Sequence, residues 1–119
     1  MSQEGYNLHQ KKLMSLKQDL DTDSTNIEAA KRYWFALASF GGHDVRSGRF
    51  AIESFRGCAL ASHAGVVALA RALWELYEKT GEKPRSELFD PELLQVLKTG
   101  LNDLSGEDQS IVRWLLTSI

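Results

Sequence analysis

Arg49, Arg56 and His63 recur at intervals of seven residues, and Arg46 stands just upstream of them. On a continuous α-helix this spacing stacks the three side chains within about 40° of one another. Two guanidinium groups and a titratable imidazole in one line suit an anion or a carboxylate, which arginine forks grip by paired hydrogen bonds and helix-start amides reinforce. The residues beside this line, Ile52, Ala59, Leu60, Val67, Ala70 and Trp74, are mostly apolar. The cations therefore lie on a face otherwise built for burial, where an unpaired charge is costly. Two kinds of partner answer that need. Carboxylates of the C-terminal third, such as Glu87, Asp90 and Glu92, reach across to Arg49 and Arg56, or a small anionic ligand or acidic protein partner completes a site at Arg46, Arg49, Arg56 and His63.

Other catalytic signatures are missing from the sequence. It has no phosphate-binding loop, no dinucleotide fingerprint and no pair of histidines at the helical spacing of a metal site. His9, His43 and His63 are scattered, and the His43–Asp44 neighbours in "GGHD" are weak grounds for a dyad. Ser62 and His63, if consecutive on one helix, point about 100° apart and cannot serve as nucleophile and base. No cofactor and no metal are expected, and catalysis would rest on His43 or His63 as a general base.

A helical framework positions these residues. Asn7 begins a first helix with a thin stripe of Leu13, Leu16 and Leu20, after a loose end over residues 1–6 expected to be disordered. Thr25 and Glu28 fit a reciprocal cap for a second helix, which Gly41 and Gly42 end. Its last two turns are apolar nearly all round. The third and longest segment, about residues 49–80, carries Ile52, Phe55, Ala59, Ser62, Val66, Leu69, Leu73 and Leu76 at alternating spacings of three and four. A second stripe on it, Gly57, Ala61, Gly65, Ala68 and Ala72, is uniformly small. As one helix it would run roughly 45 Å, more than a domain of this size needs. It therefore breaks near Gly57 or Gly65 or extends into a partner, with the small stripe as the oligomer interface. Asp90 and Pro91 mark the start of another helix, and Ser105 with Glu107 and Asp108 opens the last. A short hairpin over residues 44–52, turned by Ser47–Gly48, is the alternative to helix there.

The reading is an all-α fold: a single domain over residues 1–119, with four or five helices around one long apolar central helix. A net charge of −2 and a pI near 5.9 exclude a nucleic-acid binder relying on a broadly basic surface. Charge is uneven, since residues 82–119 hold four Lys/Arg against seven Asp/Glu. No apolar run is long enough for a membrane span, and "MSQEGYNLHQKK" lacks the core of a secretion signal, so a cytoplasmic location is expected. The single cysteine, Cys58, sits among small apolar residues and reads as a buried space-filler. The expected function is that of a non-catalytic binding or adaptor protein, acting through homo-oligomerisation, as a dimer or higher, or through a protein partner. An anionic-ligand domain is the alternative, and an enzyme the weaker third.

Overall fold

Ser62 divides the long apolar segment in two. Its backbone is extended (φ −159°, ψ 160°), closing helix α4 (Arg49–Ala61) and opening helix α5 (His63–Thr80). The break therefore falls at neither Gly57 nor Gly65. Serine favours helix starts because its hydroxyl satisfies an orphan amide, and Ser62 Oγ accepts from the Gly65 amide at 3.1 Å. The Ser62 amide in turn donates to the Cys58 carbonyl. The chain then doubles back: Phe55 lies beside Ala68 and Ala72, Gly48 faces Leu73, and Gly65 faces Cys58. This antiparallel pairing makes α4 and α5 a helical hairpin instead of one rod. The expected stripe survives except at Ser62, which is exposed at the break: Ile52, Phe55 and Ala59 on one helix and Val66, Leu69, Leu73 and Leu76 on the other are all buried.

The computed structural model describes residues 3–40 and 43–119, with side chains for 8–39 and 45–119. Around the hairpin stand α1 (Gln3–Thr22), α2 (Ile27–Phe40), the short α3 (His43–Ser47), α6 (Pro91–Leu101) and α7 (Gly106–Ser118), with a 3-10 turn over Ser86–Leu88. Seven α-helices thus replace the expected four or five among the described residues, because the central segment splits and α3 is added. No strand occurs among the described residues. Over 44–52, Gly48 takes a left-handed conformation (φ 80°) that joins α3 to α4, so the hairpin alternative gives way to two helices. Glycine meets no Cβ penalty in that conformation.

Two expectations at the N-terminal end are also corrected. Residues 3–6, expected to be loose, are helical, and Asn7 is interior to α1 instead of its cap. Only Gly5 disfavours helix there, and no proline stops it. The cap of α2 is Asn26, whose Oδ1 accepts from the Ala29 amide at 3.1 Å. Thr25 is instead turned to Asp23, donating both its amide (3.1 Å) and its hydroxyl (2.6 Å) to Oδ1. Met1 and Ser2, and the Gly41–Gly42 stop, lie outside the described residues.

Buried side chains from α1, α2, α4, α5, α6 and α7 meet in one cluster, with Phe89 from the approach to α6. The α1–α2 connection crosses α4 at Gly57, where an added Cβ would lie 2.6 Å from the Ser24 carbonyl oxygen. The buried Cys58 thiol donates to that same oxygen at 3.4 Å. Burial, and then the negative charge of Asp23, pushes this thiol above its ordinary pKa. On the far side, Trp114 of α7 packs edge-on against Trp74 of α5, with ring centres 5.0 Å apart, and Tyr77 completes the aromatic group.

Candidate functional site

The heptad line of cations spans the Ser62 break, and its members accordingly go to different places. Arg56, half-buried on α4, grips the start of α6: Nε and Nη2 both donate to Asp90 Oδ2, at 3.1 and 2.7 Å, and Nη2 also donates to Glu92 at 3.2 Å. Asp90 is simultaneously the cap of that helix, accepting the Leu93 amide on Oδ1 at 2.8 Å. The Leu93 amide first, and then the Arg56 guanidinium, hold the Asp90 carboxyl below its ordinary value. The hydrogen bond to Asp90 correspondingly raises the pKa of Arg56. Arg46, the exposed last turn of α3, lies 3.6 Å from Glu82. Arg49 opens α4 beside a shallow hollow shared with Ile52, Glu53 and Leu88. His63 opens α5, with Nε2 3.3 Å from Asp103 Oδ2. The four residues do not converge on one point, and Glu87 pairs with Arg85 instead of the ridge.

A cation outside this line repeats the Arg56 arrangement. Arg71 of α5 reaches the acidic first turn of α7, with Nη2 2.6 Å from Asp108 Oδ1 and 3.8 Å from Glu107. The two acidic helix starts, "DPE" and "GED", were the available signal, since a carboxylate pair at a helix N-terminus readily recruits an arginine.

His63 borders a cavity of about 480 Å³ at the α4–α5 corner, with Gln95, Val96, Thr99 and Gly100 opposite. A general base needs an orienting carboxylate, which Asp103 resembles, and a nucleophile within reach. Ser62 Oγ accepts from Gly65, however, and Gln95 bonds Thr99. The polar groups here largely serve the fold. The side chain of His43 lies outside the described residues.

The small stripe is likewise divided. Gly65 is buried against α4, and a Cβ placed there would overlap the Cys58 carbonyl. Gly57 accommodates Ser24, and Ala61 borders the corner cavity. Ala68 and Ala72 face elsewhere, into a furrow between α2 and α5.

That furrow is the feature sequence reasoning missed. Helix α2 leans on α1 and α4, leaving its other flank open toward α5. Two cavities of about 420 and 360 Å³ follow one another along the opening and share Trp34 and Glu75 as walls. Phe55 floors the first, and Ala38, Val45 and Leu76 line the second. From Ala64 to Lys79 the furrow runs about 22 Å at the helical rise, room for roughly four turns of a docked helix. On its lip stands Phe35, 71% exposed. Its ring extends the apolar lining of the second cavity, and apolar surface gathered along a groove is where helical segments dock.

Among the described residues, no group of three or more His, Cys, Asp or Glu is placed to hold a metal ion, and no helix is long and apolar enough to cross a membrane. No protein-family model, no curated protein and no solved structure matches this chain.

Proposed function

We propose that this chain is a non-catalytic interaction module, an adaptor that acts by docking a polypeptide on the α2–α5 furrow. The single observation carrying the reading is the exposed Phe35 beside an apolar groove of helical length. Two open cavities in series, both walled by Trp34 and the first floored by Phe55, offer the anchor pockets that helix-in-groove recognition uses. The anionic-ligand alternative has less behind it. The Arg56 fork is occupied by Asp90 and Glu92, and Arg46 by Glu82. Within this reading the protein works in the cytoplasm, where a lone buried thiol such as Cys58 stays reduced.

Site-specific photocrosslinking tests the proposal. A benzophenone side chain replacing Phe35, irradiated in living cells, is expected to form an adduct with another polypeptide. The same group replacing Glu92, on the ridge side, is expected to give none. Adducts from position 92 with none from position 35 would overturn the reading.

A further inference from the structure

Resting on that interaction reading, we infer that the polypeptide docked on the furrow is a second copy of this chain, related by a two-fold axis, with Phe35 of each copy lodged in the other's cavity. Three observations lead there. The first is shape. A two-fold interface must be self-complementary, so one surface has to carry both the protrusion and the recess that receives it. Phe35 protrudes at the lip of the cavity lined by Trp34, Ala38 and Leu76.

The second is charge. Glu75 and Lys79 stand one turn apart on α5 at this cavity, and neither forms an ion pair among the described residues. Elsewhere on the rim Lys31 is 3.6 Å from Glu28, and Arg71 is held by Asp108. What remains is one acid and one base, a pattern without preference for a strongly acidic or basic partner. Two antiparallel copies of α5 crossing midway between these residues set Glu75 of each against Lys79 of the other. The third is clearance. Ala38 and Ser39, small residues on α2 beside Phe35, keep the wall of this cavity low, so a ring from the second copy can enter it.

Analytical ultracentrifugation of the full chain over the micromolar range is the test. The mass is expected to rise from 13.3 kDa toward twice that value with concentration. Phe35→Asp is expected to weaken the dimer about 30-fold or more, as loss of a central aromatic anchor does. Glu75→Lys and Lys79→Glu are each expected to weaken it about tenfold, by facing like charges across the axis. Mixed in equal amounts, those two variants pair with each other and regain wild-type affinity, because every facing pair is again opposite in sign. Far-ultraviolet circular dichroism confirms that each variant keeps its helices.

A constant 13.3 kDa at all concentrations overturns the inference. So does a dimer indifferent to all three substitutions, or one that the mixture fails to restore. An adduct from position 35 to a different polypeptide, with a monomeric chain, overturns the second-copy inference and leaves the interaction reading standing.

Discussion

The two flanks of the α4–α5 hairpin handle their polar and apolar groups in opposite ways. On the α6–α7 flank, arginines meet carboxylates at helix starts: Arg56 on Asp90 and Glu92, Arg71 on Asp108 and Glu107. Each acidic helix start is held from two sides, by its own helix amides or dipole and by a guanidinium from the hairpin. On the α2 flank the helices diverge, Trp34 borders open space, Phe35 projects, and Glu75 and Lys79 stand unpaired among the described residues. A cation within an apolar helical stripe can thus be a docking pin for a later helix of the same chain. The stronger pointer to an outside partner is an uncovered aromatic beside a groove.

The hairpin itself is where this contrast is most easily broken. Gly65→Ala is expected to destabilise the fold by at least about 3 kcal/mol, the upper range for overpacking, because the new carbon meets backbone that cannot rotate away. Thermal melting should register this as a fall of about 10 °C or more. An unchanged melting temperature would mean that α4 and α5 do not approach as closely as Gly65 implies.

Next in size is the tie between hairpin and α6. Because the folded-state pKa of Asp90 is depressed below its ordinary 3.8, its contribution is fully present above that value and is lost as the pH falls through the folded-state pKa. Asp90→Ala removes both the cap and the Arg56 partner and should lower the melting temperature by several degrees at neutral pH. Asp90→Asn keeps an acceptor for the Leu93 amide, loses the ion pair, and should flatten part of the acid limb of the melting curve below about pH 4. Melting temperatures recorded across the acid range for the three proteins check the ordering.

On the α2 flank a smaller interaction joins α2 to α4. Tyr33, buried on α2, donates its hydroxyl to Glu53 Oε1 on α4 at 3.3 Å. Burial, and then the Glu53 charge, push its pKa up to about 12 from 10.0. Since the folded state favours the protonated phenol, this contribution is complete below pH 10 and is lost as pH rises toward 12. Spectroscopic titration should show one tyrosine ionising late, and Tyr33→Phe should remove that late step and cost about 0.5–1.5 kcal/mol at neutral pH.

Smallest is the effect of Phe35→Ser on the monomer, within about 0.5 kcal/mol, since the ring is largely exposed. A large loss in dilute solution, measured by chemical denaturation, would return Phe35 to the core and erase the contrast.

How much of this was legible depended on how local the deciding interactions are. The start of α6 was readable because Asp90 and Pro91 act within one turn: the carboxylate takes the Leu93 amide and the proline needs none. The inward stripe was also readable, since burial of Ile52 through Leu76 follows from helical periodicity alone. Periodicity concealed the break, because each half of the hairpin keeps its own inward face on either side of Ser62. Nothing local distinguishes a serine interior to a helix from one that caps the next, until Gly65 is seen to lie on α4. Thr25 and Asn26 were adjacent candidates for one cap, and Asp23 decided between them by taking Thr25. The basic ridge was not legible as separate contacts, because its alignment assumed an unbroken helix and the Ser62 break sends Arg56 and His63 to different partners. The furrow was invisible, since the angle between α2 and α5 is set by what α2 packs against elsewhere.

The two flanks can be compared in a single experiment, a dilution series followed by amide, indole and arginine side-chain resonances in solution NMR. The Trp34 indole and the amides of residues 34–39 and 68–79 are expected to shift with protein concentration, while the Arg56 Nε–H and the Trp114 indole hold still. No shift is expected at Arg56 or His63 when inorganic phosphate is added at constant ionic strength. Concentration-dependent shifts confined to the Arg56 side, or a saturable response of Arg56 and His63 to phosphate with Trp34 unmoved, would move the contact surface from the α2 flank to the basic ridge.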